Sequence, residues 1–303
     1  MKAYDVLIIG GGVCGLTAAI YAARANLSVG IIEKEVCGGL VNWTHVVENV
    51  PSYKSIHGLD LMAKCREHAE SLGVDLVEVE AVTGVDLSAE LKLAVTADET
   101  YAGRALIVAT GRKPLALPVS TEFENVHYCA ICDGAPYKGK DVVVVGGGNS
   151  GFDESLYLAG LGVASIHILE VFPQCIAAAA TQDRARRTGI IRVDTNTKIT
   201  ALDVLESGRG RLHLENCADG KTWTEDCDAV FCFIGQKPNT VLFHGLLDLD
   251  KAGYIVANAD METNVSGVFA AGDVIVKKYR QIVTAMGDGA IAALQAEKYI
   301  RAR

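Results

Sequence analysis

The chain has 303 residues, half of them apolar, 21% charged and 6% aromatic, with a formal net charge of -9. That length admits two domains that each bury a core, the composition is that of a globular α/β protein, and the acidic balance lacks the surplus Lys and Arg that phosphate-backbone binding needs, so no nucleic-acid partner is expected. Nine scattered cysteines do not form a secreted disulfide framework and no stretch reads as a membrane span, so a cytoplasmic protein without a membrane partner is expected.

Residues 4–33, "YDVLIIGGGVCGLTAAIYAARANLSVGIIE", run from an apolar stretch through a glycine turn and an amphipathic stretch to a second apolar run ending in an acid. Three consecutive glycines argue against a signal peptide and for a buried strand entering a helix, the first half of a βαβ unit. The glycines fall at Gly10, Gly12 and Gly15, and Glu33 follows 18 residues after the last of them. In a dinucleotide fold the first glycine permits the tight turn, the second lets the backbone approach a pyrophosphate and the third lets helix pack on strand. The helix N-terminus holds the anion, and the acid accepts the ribose hydroxyls.

Further along, "LIVATGRKP" at 106–114 is a buried strand ending in a glycine turn, and "CAICDG" follows at 129–134. Residues 141–170, "DVVVVGGGNSGFDESLYLAGLGVASIHILE", then repeat the first unit, with Gly146, Gly148 and Gly151 in register and Glu170 19 residues on. A second tail, "VFCFIGQKP" at 230–238, matches the first. The strand-like "GVFAAGDV" at 267–274 completes the N-terminal sheet, so the second unit reads as inserted into the first. The expected domains are 1–114 plus 242–303, and 115–241.

Cys129 and Cys132 have three readings. A zinc site needs four ligands, and no second CxxC or HxxxH accompanies the pair. A structural bridge over so short a loop removes little entropy from the unfolded chain. A redox pair accounts for the position, just inside the second domain and ahead of its nucleotide strand.

Taken in order, "GGGVCG", "ENVP", "ATG", "CAICDG", "GGGNSG", "GVFAAGDV" and "YRQIVTAMGDGAIAA" cover nearly the whole chain and resemble the low-molecular-weight thioredoxin reductases, flavoprotein disulfide reductases with two dinucleotide folds. The resemblance implies an α/β chain of two Rossmann-like, three-layer ββα domains, the second inserted into the first, that binds FAD in the first domain and a nicotinamide nucleotide in the second. The flavin residues it implies are Gly10, Gly12, Gly15, Glu33, Lys34, Gly39, Asn49, Val82, Thr110, Gly111, Gly272, Asp273 on the ribityl chain, and Arg280, Gln281 and Ile282 opening the last helix. For the nicotinamide nucleotide they are Gly146, Gly148, Asn149, Ser150, Gly151, Glu154, Glu170 and Gly235. Cys132 is implied as the thiol facing the flavin, Cys129 as the one attacking a thioredoxin-like partner, and Asp133 as the general acid. A homodimer is implied too. One departure stands out: the family's "GGQ" is here Gly38, Gly39 and Leu40. Because one cysteine pair must meet both a buried flavin and an external protein, rotation of the second domain is expected.

NADPH-using members carry a His-Arg-Arg run after the second strand of the second domain, whereas this chain has "ILEVFPQCI". A carboxylate at Glu170 suits a free ribose hydroxyl and repels a 2′-phosphate by about 4 kcal/mol per charge pair at ~4 Å in a surface-like dielectric, so NADH is the expected donor. The stretch resembles that of the NADH-using flavoprotein of alkyl hydroperoxide reductase. Arg184, Arg186 and Arg187 read as a solvated helix face. The alternatives are a ferredoxin-dependent flavin thioredoxin reductase, or an NADH-dependent reductase of a glutaredoxin or peroxiredoxin partner.

Overall fold

Chain segments 1–113 and 237–303 form one compact unit and 114–236 a second. The structure, a computed structural model, describes the chain apart from His45, Val46 and Glu48 and the side chains of Trp43 and Cys132. Glu48 of "ENVP" and the thiol of Cys132 therefore lie outside the described residues.

In chain order the first unit starts with β1 (Lys2–Ile9), α1 (Val13–Arg24), β2 (Val29–Ile32), α2 (Gly58–Ser71), β3 (Asp75–Val77), β4 (Gly84–Asp86), β5 (Lys92–Val95) and β6 (Thr100–Val108). A linker strand β7 (Arg112–Pro114) leads to β8 (Val126–His127), α3 (Ala130–Asp133), β9 (Asp141–Val145), α4 (Asn149–Leu161), β10 (Ser165–Leu169) and α5 (Ala179–Arg187). The second unit continues with β11 (Ile191–Asp194), β12 (Thr197–Val204), β13 (Gly210–Asn216), β14 (Thr222–Cys227) and β15 (Ala229–Cys232). The linker strand β16 (Gln236–Pro238) leads back to β17 (Val268–Ala270) and α6 (Ile282–Arg301).

The first unit holds a parallel layer in the order β3-β2-β1-β6-β17. β6 pairs parallel with β1 along nearly its whole length, and its other edge serves two partners: its first half pairs antiparallel with β5, and β5 with β4, while its second half pairs parallel with β17. Parallel strands covered on both faces read as unbroken apolar runs, and accordingly Val6, Leu7, Ile8 and Ile9 are all buried. Each such side chain contributes about 1.5–3 kcal/mol. On the helical side α6 crosses α1 at Gly289, where a Cβ would meet the Cys14 carbonyl.

In the second unit the parallel sheet runs β11-β10-β9-β15-β8 beside an antiparallel β12-β13-β14 sheet. Along β9 the side chains alternate: Val142 and Val144 join Phe152 and Leu158 of α4, whereas Val143 and Val145 join Leu212 and Leu214 of β13. That period of two sandwiches one parallel sheet between helices and a second sheet. The crossing back to the first unit falls between Gln236 and Lys237. The reason is that "QKP" and "RKP" pair as β16 and β7, so both linkers end together. Among the described residues no helix is long and apolar enough to cross a membrane.

Candidate active site

The two glycine turns are built alike. Gly10 has φ +107 and Gly146 φ +115, and a Cβ on either would collide with the carbonyl of Ala109 or Phe233. A Cβ on Gly15 or Gly151 would strike the carbonyl of Gly10 or Gly146. The chain itself therefore demands the first and third glycines. Gly12 and Gly148 differ: their φ values of -69 and -83 suit any residue, and the nearest atom to an added Cβ is 4.0 Å away in each case. No steric demand of the protein explains a glycine there, whereas a ligand lying against the backbone does. Both residues cap helices that have no side-chain cap, leaving N–H groups for an anion.

The acids repeat too. Glu33 Oε2 accepts the Gly11 N–H at 2.7 Å and its Oε1 the Glu35 N–H at 3.0 Å. Glu170 Oε2 accepts the Gly147 N–H at 2.7 Å and its Oε1 the Phe172 N–H at 2.9 Å. Each carboxylate oxygen keeps a lone pair for a hydroxyl. The middle glycines, which the motif leaves unassigned, are explained here: Cys37 Sγ and Cys175 Sγ pack where a Cβ of Gly11 or Gly147 would stand. The sequence signal for them is a cysteine four or five residues after each acid.

Around the first turn the unit places several of the expected residues. Thr110 donates to the Asn239 carbonyl at 2.8 Å, Gly111 has φ +61 and Gly272 φ +80, and Gly39 has φ +59. Asn49 donates to Gln281 Oε1 at 3.1 Å, and Gln281 caps α6 with its N–H on Thr284. Val82 and Ile282 pack partly buried against the core. Lys34 pairs with Glu35 at 3.0 Å on the surface. Asp273 accepts from Arg112 at 3.0 Å, an arginine missed from the sequence although it adjoins "ATG". Arg280 lies over the Tyr254 ring at 4.2 Å. Three buried polar atoms of this group, Asp273 Oδ1, Arg112 Nε and Arg280 Nε, have no hydrogen-bond partner among the described residues. Such atoms are costly unless something satisfies them, and a polar chain with hydroxyls, such as the ribityl of FAD, fits them.

The second turn is more open. Gly147 O accepts from Ile176 at 3.1 Å and Asn149 Oδ1 from Ala178 at 2.9 Å, which folds the stretch after Glu170 back over the start of α4. Asn149 and Ser150 are exposed, Gly235 turns with φ +115, and Val171, Phe172 and Ile176 are 46, 67 and 83% exposed. No basic residue stands among positions 171–176. Arg184 acts on Asp153, and Arg186 pairs with Asp183 at 3.0 Å.

Cys129 is buried and disulfide-bonded, and the seven cysteines outside the CxxC are free. The motif winds into α3, with the Asp133 N–H on the Cys129 carbonyl at 3.2 Å. Asp133 ends this helix rather than starting a turn. Gly134 is glycine because a Cβ would strike the Ala130 carbonyl and crowd Leu158 and Leu161 of α4. Beneath α3, Glu154 Oε2 accepts the Ala130 N–H at 3.2 Å, and burial, with added repulsion from Asp153, pushes this carboxyl up to about 7. Asp133 Oδ2 lies 3.3 Å from His127 Nδ1. His127 has no signature in the sequence.

The model of the pyridine nucleotide-disulphide oxidoreductase family matches residues 4–289. A Clostridium pasteurianum protein described as a 34.2 kDa protein in the rubredoxin operon is 41% identical over 99% of this chain and 98% of its own. The thioredoxin reductase of Bacillus subtilis is 38% identical over 99% and 95%. The crystal structure of Lactococcus lactis thioredoxin reductase in its FR conformation superposes with a TM-score of 0.93 at 34% identity, covering 99% of this chain and all of that one.

Proposed function

Since the chain belongs to the pyridine nucleotide-disulphide oxidoreductases, and within them to the low-molecular-weight thioredoxin reductase family, we propose that it carries electrons from NADH through FAD and the Cys129/Cys132 pair to the disulfide of a thioredoxin-like protein. The observation that carries this reading is the duplicated turn, in which Gly12 and Gly148 are bare where the chain needs no glycine, combined with a CxxC whose Cys129 is oxidised.

In this reading the first unit holds FAD, with α1 facing the pyrophosphate, Glu33 the ribose, and Asp273, Arg112 and Arg280 the polar chain. The second unit holds the nicotinamide nucleotide on the start of α4. When bound, the flavin supplies a two-electron relay between nicotinamide and disulfide. Cys129, paired with Cys132, attacks the partner's disulfide, and Asp133, one turn along α3, gives the departing sulfur its proton. Glu170 selects NADH, because its buried carboxylate already takes two backbone N–H bonds and a 2′-phosphate beside it would meet like charge. A homodimer and a cytoplasmic location belong to the same reading.

Steady-state oxidation of NADH with a thioredoxin-like disulfide as acceptor tests this function. Many turnovers per flavin are expected, and a single reduction per flavin would contradict catalysis. A glutaredoxin-like acceptor reduced faster than any thioredoxin would move the partner assignment.

A further inference from the structure

Beside the cysteine pair lies a polar group with no part in the mechanism above. His127 ends β8, two residues before Cys129, and its ring packs against Phe231 of β15 at 5.1 Å and Tyr137 at 5.4 Å. Tyr137 meets Phe231 edge-on at 5.8 Å. Within this aromatic wall His127 Nε2 lies 2.7 Å from the Tyr137 hydroxyl and Nδ1 lies 3.3 Å from Asp133 Oδ2. The imidazole is mostly sheltered, with 18% of its side chain exposed, while Asp133 is 40% exposed.

The partners set the tautomer. Once Asp133 has given up its proton, its carboxylate can only accept, so in that state Nδ1 carries the hydrogen toward Asp133 and Nε2 accepts from the Tyr137 hydroxyl. Burial holds the imidazole below its ordinary range against the pull of Asp133, which keeps the ring neutral and able to pass a proton from one nitrogen to the other. Burial, followed by the charges of Asp133 and Asp228, pushes the Tyr137 hydroxyl up, so it stays protonated. The titratable groups around the ring are thus Asp133 on α3 and Tyr137 on the following turn. Asp228 and Cys227 act on Tyr137, and Glu154 approaches α3 at Ala130.

Building on the disulfide-reductase reading, we propose that His127 is a positioning residue for Asp133: it fixes the carboxyl on the turn of Cys129 and resupplies its proton along a Tyr137–His127–Asp133 wire. In the exchange step the Cys129 thiolate attacks one sulfur of the acceptor disulfide, so the new S–S bond forms as the old one breaks. The electron pair leaves on the second acceptor sulfur, which takes the proton of Asp133. Asp133 regains a proton from His127 Nδ1 as Nε2 takes one through the Tyr137 hydroxyl and water restores Tyr137; the ring, then in its Nε2–H tautomer, returns to the Nδ1–H form by hydrogen exchange with water before the next turnover. One proton enters from solvent and one ends on the departing thiol.

The consequence is a dependence on the leaving group. An aliphatic thiolate is a poor leaving group and needs the acid, whereas an aromatic thiolate leaves unaided. The test uses FAD-loaded protein reduced with dithiothreitol, desalted anaerobically and mixed with either hydroxyethyl disulfide or an aromatic disulfide. Oxidation of the Cys129–Cys132 peptide is followed by acid quench, alkylation and mass spectrometry. His127→Gln should slow the aliphatic reaction about tenfold, less than the roughly hundredfold or more of a general acid itself because His127 acts through Asp133, and leave the aromatic one within about twofold. Tyr137→Phe, which removes one oxygen from the wire and keeps the ring, should slow only the aliphatic reaction, by a smaller factor. His127→Gln in an Asp133→Asn background should add nothing, because residues acting as one unit are not additive. Equal slowing of both disulfides, or no slowing of either, would overturn the proposal. Neither arm uses a nucleotide, so failure of NADH to drive turnover would count against the proposed function and leave this test standing.

Discussion

The two glycine turns share their strand, helix, acid and cysteine, yet their surroundings differ. Beside the first turn, Asp273, Arg112 and Arg280 each keep a buried polar atom without a hydrogen-bond partner among the described residues. Beside the second, Asn149 and Ser150 at the start of α4 are exposed and the loop after Glu170 presents open apolar side chains. Buried unpaired polar atoms destabilise an empty site, which suits a ligand that is kept. An exposed helix start with no such penalty suits a ligand that comes and goes. In the proposed reading, one motif used twice serves a resident cofactor and an exchanging one, and the neighbours decide which.

Changes at the cysteines, outside both turns, should have the largest effect. Cys129→Ser should lower turnover with a protein disulfide at least about a thousandfold while flavin bleaching by NADH persists, measured side by side on one preparation. Loss of bleaching as well would place Cys129 in the flavin site itself.

The comparison is broken most directly by paired alanines. Gly12→Ala should purify without flavin, whereas Gly148→Ala should keep its flavin and raise the KM for NADH by roughly 10–100-fold, about 1.4 kcal/mol per tenfold. Both should fold, since the added Cβ meets nothing closer than 4.0 Å. Gly15→Ala and Gly151→Ala, which press on backbone carbonyls, should instead fail to fold. If Gly12→Ala keeps its flavin, the first turn does not face the pyrophosphate.

A smaller effect is expected at Glu170. Glu170→Gln should cut the ratio of kcat/KM for NADH over NADPH about tenfold, mainly by removing the charge that a 2′-phosphate meets. An unchanged ratio would move selectivity elsewhere, to the arginines of α5.

The smallest effect concerns stability. Glu154 is pushed up to about 7 in the fold, above its unfolded value, so the folded state binds more protons between roughly pH 4.5 and 7 and stability falls as pH rises through that window. Glu154→Gln removes this dependence: Tm at pH 8 should rise by a few degrees relative to the parent, with little change at about pH 4, below the unfolded value. A shift of the same size at both pH values would rule out titration of Glu154 as the cause.

What could be read from the sequence was local. Gly10, Gly15 and Glu33 announce themselves because turn, helix start and acid lie within a single βαβ unit, and "CAICDG" because its two cysteines stand three residues apart, Cys129 just before α3 and Cys132 within it. What could not be read depends on distant pairing. Arg112 meets Asp273 across 161 positions, and Glu154 reaches Ala130 across 24. His127 reaches the end of α3 only because β8 adds to the sheet beside β15, a pairing of two residues with no periodicity to reveal it.

The most direct measurement is anaerobic flavin bleaching on rapid mixing of the FAD-loaded protein with NADH and, in parallel, with NADPH at equal concentration. Faster and tighter reduction by NADH is the result expected from an acid at Glu170 and a stretch without arginine after it. Faster reduction by NADPH would contradict that selectivity, and no reduction by either would contradict a nicotinamide nucleotide as the electron source.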